Sequence, residues 1–475
     1  MMRNAMQIHT SHIPCNPLDS TVLGRGEHPS GKTARRITPE LVLPTLKRYM
    51  LVDGFDIVLD LQRSSGSRLI DAVTGRAYLD LFTFFASSPV GINHPSMLTE
   101  SFREEIFHAA VNKPSNSDIY TVEMAQFVET FARLCIPPYF SYAFFIEGGA
   151  PAVENALKAA FDWKVQKNAR KNLPGERGHK IVHFRRAFHG RTGYTLSLTN
   201  TDETKIRFFP KFQDWPRIDA PAAIFPLEGE NLERTMMRES VALDQMKQAF
   251  AEHGDDIAAV IIEPIQGEGG DNHFRPEFLK KLRELADEND ALLIFDEVQT
   301  GIGITGRMWA HEWFVKPDIL VFGKKTQVCG ILAGPRIDEI ESNVFHVSSR
   351  INSTWGGNLT DMVRSRKYLE IIEEEKLVEN AERTGAYLLA RLQEMAAEFP
   401  GILSNPRGRG LFCAVDFPSQ DFRDAVRRKA YEDGLIILGC GERSLRFRPA
   451  LNVTKEILDE GLDIIRGAVL TIERS

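Results

Sequence analysis

Asp296 closes an apolar run, Ala291-Leu292-Leu293-Ile294-Phe295, and is followed by Glu297, Val298, Gln299, Thr300 and Gly301. A carboxylate delivered by a core strand needs a partner, because an unpaired ion is costly to desolvate. A helix cap or an ion pair would satisfy a lone Asp, but the neighbours point further. Val298 suits packing on the face of a flat ring, and Gln299 offers both a donor and an acceptor. At the end of the next apolar run, Phe322-Gly323-Lys324-Lys325 brings amines to the same region. A lysine there can carry a Schiff base. An acid for a pyridine nitrogen and an amine for an aldehyde are the minimum equipment for pyridoxal 5′-phosphate. Asp296 would keep that nitrogen protonated, each pKa unit of preference being worth about 1.4 kcal/mol.

A phosphate needs donors, and Gly148-Gly149-Ala150 ahead of a helical pattern from Pro151 offers backbone N–H groups at a helix start. After another strand comes Phe188-His189-Gly190-Arg191. Phe188 can stack on the second ring face, and Arg191 can grip a carboxylate in bidentate fashion. His189 is expected to pack structurally, since the lysine already supplies proton transfer. Gly301-Ile302-Gly303-Ile304-Thr305-Gly306 matches a dinucleotide fingerprint. The short stretch after it and the lack of a suitably spaced acid argue against that reading.

The elements that must position these groups alternate from about residue 140. Strands are expected at 142–146, 180–184, 257–262, 291–295 and 318–322, with a helix over 276–289. Near-continuous apolar strands between helices predict an α/β fold with a mainly parallel sheet covered on both faces. Ligands of such sheets sit beyond the strands' carboxyl ends. That rim holds Glu147-Gly148-Gly149, Glu263, Asp296 and the lysine pair. The texture changes near 345: two long helices, then strands at 410–417, 435–438 and 444–447, then a helix from Thr454. The expected division is an arm over 1–36 without regular structure, a segment over 37–80 joining a smaller α+β domain, a large domain over 81–345, and that smaller domain over 346–475.

With 475 residues, 43% of them hydrophobic and 26% charged, the chain reads as an ordinary globular enzyme. A net charge of −7 gives no reason to expect nucleic acid or an anionic membrane as partner. No apolar run is long enough to span a bilayer. Five cysteines, odd in number and without a CxxC pair, suit a reducing compartment, here the cytoplasm, and no metal site is expected.

The stretches Asp296–Gly301, Glu263-Pro264-Ile265-Gln266-Gly267-Glu268-Gly269-Gly270 and Lys324-Lys325 resemble class III (ω-) aminotransferases, fold-type I pyridoxal phosphate enzymes. The resemblance runs from about residue 45 to the C-terminus. Asn112–Asp118, Phe322–Gly330, Asn352–Asn358 and Arg446-Phe447-Arg448-Pro449 resemble the subgroup that uses L-lysine. Ile304 stands where many relatives carry Arg, as in that subgroup. Ala150-Pro151 departs from the Thr- or Val-Glu pair common among relatives. The resemblance implies Lys325 as the Schiff-base lysine, Asp296 at the ring nitrogen and Gln299 at the phenolic oxygen. It implies Phe188 and Val298 on the two ring faces, and Gly149 and Ala150 at the phosphate. Thr354 would reach that phosphate from the other subunit of a homodimer. Arg191, Glu268, Arg446 and Phe85 make up the substrate-binding set.

The implied reaction takes the side-chain amine of L-lysine and gives it to 2-oxoglutarate, in ping-pong fashion. One pocket must then accept two different ends. Arg191 would hold lysine's α-carboxylate or the acceptor's distal one, and Arg446 the acceptor's carboxylate beside its ketone. With lysine bound, Arg446 would face methylenes, and losing a buried charge's partner costs about 3–5 kcal/mol. Glu268 is the group expected to neutralise it and swing aside. A fixed Glu268–Arg446 pair is the plainer alternative. Arg448 is expected to face away from substrate. Other ω-aminotransferases (ornithine, 4-aminobutyrate or diaminobutyrate) stay open as alternatives, followed by an aminomutase or racemase.

Overall fold

The computed structural model describes residues 36–474, so most of the expected arm lies outside the described residues. The chain falls into two compact units. The smaller, 36–59 with 71–76, carries a helix over Pro39–Leu46. The larger, 60–70 with 77–474, holds everything described below.

Its centre is a seven-stranded sheet. In chain order the strands are β1 (Tyr142–Ile146), β2 (Lys180–Phe184), β3 (Arg217–Ile218), β4 (Ile257–Ile262), β5 (Leu292–Asp296), β6 (Ile319–Phe322) and β7 (Cys329–Ala333). Their order across the sheet is β1-β7-β6-β5-β4-β2-β3, and β7 alone runs antiparallel to its neighbours. β7 had no expectation attached, because it follows the lysines after a turn too short for a crossover helix. Strands β4 to β6 are buried at every position, as expected for a sheet covered on both faces. Alternation sends Ala259, Ile261, Leu292 and Ile294 into one core with the helix α1 (Gly149–Arg170). Val260, Ile262, Leu293 and Phe295 join another with the helices Gly229–His253 and Pro276–Glu288.

Towards the C-terminus, the helices Leu359–Glu374 and Leu377–Glu398 precede a four-stranded antiparallel sheet. Its central strands are Phe412–Asp416 and Ser444–Phe447. The strand Ala77–Asp80 pairs in parallel with Leu435–Ile436. Thr454 caps the last helix, Lys455–Glu473, its side chain accepting from the Ile457 amide.

Candidate active site

The carboxyl ends of β1, β2, β4, β5 and β6 open onto a cavity of about 540 Å³. Gly148, Gly149, Ala150, Phe188, Arg191, Glu263, Glu268, Asp296, Val298, Gln299 and Lys324 all line it. Asp296 is the last residue of β5 and is buried. One of its oxygens accepts from the Val298 amide (3.1 Å) and the other faces His189 Nδ1 at 2.7 Å. His189 thus orients the acid. Its Nε2 has no partner among the described residues. Glu263, which follows β4, accepts from the amides of Phe188 (2.9 Å) and Gly267 (3.0 Å). Burial pushes its carboxyl up to about 7, with nearby His189 pulling the other way.

The two lysines part company. Lys324 sits at φ +55, a left-handed backbone that turns it into the cavity. Burial lowers its amine's pKa, and Asp296 is the carboxylate that most opposes the shift. Lys325 is buried and does not line the cavity, its Nζ bonding the Gln299 carbonyl at 2.9 Å. The expectation placed the Schiff base on Lys325, but of the two lysines it is Lys324 that puts an amine in the space Asp296 faces, while Lys325 is held by the Gln299 carbonyl.

Gln299 lines the cavity, and the sequence did not reveal what holds it. Arg448 donates to its Oε1 through Nε (3.1 Å) and Nη2 (2.9 Å). Arg448 Nη1 also pairs with Asp271 Oδ2 at 2.8 Å, and both side chains are buried. Because Arg448 can only donate, the amide oxygen must face it, and the amide's N–H groups are left for the cavity side. Gly267 makes this possible, since an added Cβ would lie 2.4 Å from Gln299 Oε1. Arg448 thus does not face away: its guanidinium reaches Gln299, which lines the cavity. It stops short of the cavity because its guanidinium is spent on Asp271 and Gln299. R448M would strand a buried aspartate, at an expected cost of about 3–5 kcal/mol in stability. Adding D271N should recover part of that loss, as thermal denaturation of the cofactor-free protein would show.

Arg446 does not line the cavity; Glu268 does. Glu268 Oε2 lies 3.0 Å from Arg446 Nη2, and Arg446 is 3% exposed, with Nε and Nη1 unpartnered among the described residues. Burial would raise the Glu268 carboxyl, but Arg446 and then Lys205 hold it down at about 2. Arg191 is exposed at the mouth, its guanidinium 5.9 Å from the Phe188 ring centroid.

Phe85 and Thr354 do not line this cavity. Phe85 belongs to a turn, Thr83–Ala86, whose four residues all have positive φ, from 43 to 66. The amides of Ala86 and Ser87 bond the carbonyls of Phe82 and Thr83, so the turn is a single left-handed helical turn. Asp80 anchors it by accepting from the amides of Phe82 and Thr83, and the Thr83 hydroxyl donates to the Arg448 carbonyl. Phe85 is half exposed, while Ser87, two residues on, reaches the cavity. Thr354 is exposed on the loop 352–358, which is pinned to Asn116 and Ser117. Gly301–Gly306 forms buried turns leading only to a short 3-10 segment, Ala310–Trp313, which is no dinucleotide site.

The sequence matches the family described as Aminotransferase class-III over residues 49–469. The chain is a class-III aminotransferase. The L-lysine-epsilon aminotransferase of Mycobacterium tuberculosis is 55% identical to it over 437 residues, covering 92% of this chain and 96% of that protein. The enzyme of the same name from Amycolatopsis lactamdurans is 51% identical over 445 residues, covering 93% and 97%. The solved lysine aminotransferase from M. tuberculosis matches this aminotransferase with a TM-score of 0.90 at 55% identity, covering 92% of this chain and 100% of that one.

Class-III aminotransferases depend on pyridoxal 5′-phosphate, and so does this one. The residues present fit it. The cavity combines an acid, an amine, an aromatic face and a helix start whose glycine lies close against Val298 (an added Cβ would be 3.2 Å from Cγ1). Pro151, in the first turn of α1, lacks an N–H, which leaves the amides of Gly149 and Ala150 as that turn's donors. As an aminotransferase it takes an amino donor and a 2-oxo acid acceptor. Among the described residues no helix is long and apolar enough to cross a membrane.

Proposed function

We propose that this aminotransferase is an L-lysine 6-aminotransferase, converting L-lysine and 2-oxoglutarate to 2-aminoadipate 6-semialdehyde and L-glutamate. The observation that carries the reading is Glu268 closing off Arg446 while Arg191 stands open at the mouth. That arrangement suits a donor with a carboxylate at one end only. The relatives named above support it.

When bound, pyridoxal phosphate supplies an electron sink for the carbon that loses its proton. Asp296 would hold a proton on the ring nitrogen, and His189 fixes the acid's orientation. Gln299, clamped by Arg448, would donate to the phenolic oxygen. Phe188 and Val298 would pack on the ring, and the amides of Gly149 and Ala150 would hold the phosphate. Lys324 would hold the cofactor's aldehyde in the absence of substrate, and its amine is the group that would move the proton. Arg191 binds the carboxylate remote from the reacting carbon. Arg446 binds the acceptor's other carboxylate after Glu268 moves.

We assign the enzyme to a homodimer that shares its sites, in which Thr354 and the phenylalanine turn serve the neighbouring subunit. Thr354 is exposed and does not line the cavity of its own subunit, and Ile119, Tyr120, Val122 and Trp355 are exposed apolar side chains. The four described cysteines are buried free thiols, which supports a reducing, cytoplasmic setting.

Incubating the enzyme with L-lysine and 2-oxoglutarate and trapping the semialdehyde or its cyclic imine tests the proposal. Product from ornithine and none from lysine would overturn it. E268A is expected to change the preference between L-lysine and ordinary α-amino donors by about tenfold or more, since Arg446 would then attract any α-carboxylate. An unchanged preference means the pair is fixed.

A further inference from the structure

Glu268 has a second cation. Lys205 Nζ lies 2.8 Å from Glu268 Oε1, so the two carboxylate oxygens are shared between Lys205 and Arg446. The two cations are differently held. Arg446 is buried in a strand, at 3% side-chain exposure, and Lys205 ends a short surface turn, Glu203–Lys205, at 22%. Lys205 Nζ also sits 5.6 Å from the centroid of the Phe188 ring, and Phe188 lines the cavity. The other acid facing this turn, Asp202, accepts at Oδ1 from the amide (2.8 Å) and hydroxyl (2.7 Å) of Thr204 and remains an anion near Lys205.

Two cations thus share one carboxylate at this end of the cavity. An amino donor whose carboxylate rests on Arg191 brings no second anion to compete with Glu268 for Arg446. A 2-oxo acid brings an α-carboxylate that does compete. When that carboxylate takes Arg446, Glu268 must leave, and Lys205, on a mobile stem, can keep its ion pair during the movement. Arg446, locked in the sheet, cannot follow.

Resting on the reading of Glu268 given above, we propose that Lys205 is a specificity-determining residue for the acceptor half of the reaction, retaining the Glu268 carboxylate when the acceptor's α-carboxylate takes Arg446. Without Lys205, Glu268 loses its second cation, stays on Arg446 and resists the incoming anion.

The test uses the full-length holoenzyme and its K205M and K205R variants, with the two half-reactions followed separately by the cofactor's absorbance. K205M is expected to raise the 2-oxoglutarate concentration giving half-maximal rate by about three- to tenfold while the donor half changes by less than about twofold. K205R should restore the acceptor half. In an E268A background, K205M should add less than about twofold, because the two residues act through one contact. Equal losses in both halves would overturn the proposal by showing a structural role. An undiminished effect in the E268A background would also overturn it, since Lys205 would then touch the acceptor itself. Failure of the lysine reading is separable. It shows as no donor half-reaction of the unmodified enzyme with L-lysine, and the acceptor half can still be compared after amination by another donor.

Discussion

Replacing Lys324 by alanine is expected to cut turnover by about 10³-fold or more, since the group that moves the proton is lost. The neighbouring change should behave quite differently. Lys325→Ala removes the bond to the Gln299 carbonyl and leaves that oxygen short of a donor, a cost of about 1–3 kcal/mol in stability. It leaves the cavity's own amine in place, so activity should stay within about tenfold of the unmodified enzyme. Borohydride reduction of the holoenzyme followed by peptide mapping separates the two lysines. The reduced adduct is expected on Lys324, to vanish in K324A and to persist in K325A. An adduct on Lys325 would reverse the assignment.

Asp296→Asn is the second large effect. An amide cannot hold a proton on a pyridine nitrogen by charge, and the His189 contact at 2.7 Å loses its ionic partner. A fall in kcat of about 10²–10³-fold is expected, the size seen when one preorganised electrostatic group is removed from an active site. The apo-protein should keep its fold, because the substitution is nearly isosteric and Asn retains an oxygen for the Val298 amide. Stopped-flow comparison of both half-reactions is the measurement. Losses of similar size in both halves are expected, since the ring nitrogen serves both. A loss confined to one half would place Asp296 on a substrate instead.

The parts of the site carried by strand ends were legible in the sequence. Asp296, Phe188 and the Gly148–Ala150 stretch each follow an apolar run whose direction into the sheet could be inferred, and the structure lines one cavity with all of them. What escaped depends on torsions and on contacts distant in sequence. No pattern distinguishes two adjacent lysines, and the choice rests on one backbone angle, φ +55 at Lys324. The pairing of Arg448 with Gln299 joins residues 149 apart in the chain, and that of Lys205 with Glu268 joins residues 63 apart. Lys205 lies on a three-residue turn with no periodicity to mark it. β7 was missed for a related reason. A strand reversing straight after the Lys324–Thr326 turn breaks the alternation of strand and helix.

The turn at Thr83–Ala86 has a consequence for how the mouth of the cavity can move. Four successive left-handed residues store on the order of 4–8 kcal/mol. Such a conformation survives only where it is firmly braced, here by Asp80 below and Thr83 against Arg448. On the far side, the Ser87 carbonyl accepts from Gln327 Nε2 (2.7 Å), which also reaches the Lys324 carbonyl (3.1 Å). The phenylalanine turn, the arginine that steers Gln299 and the backbone of Lys324 are therefore bolted to one tensioned arch. On this side of the doorway, substrate exchange falls to side chains swivelling against a stiff frame.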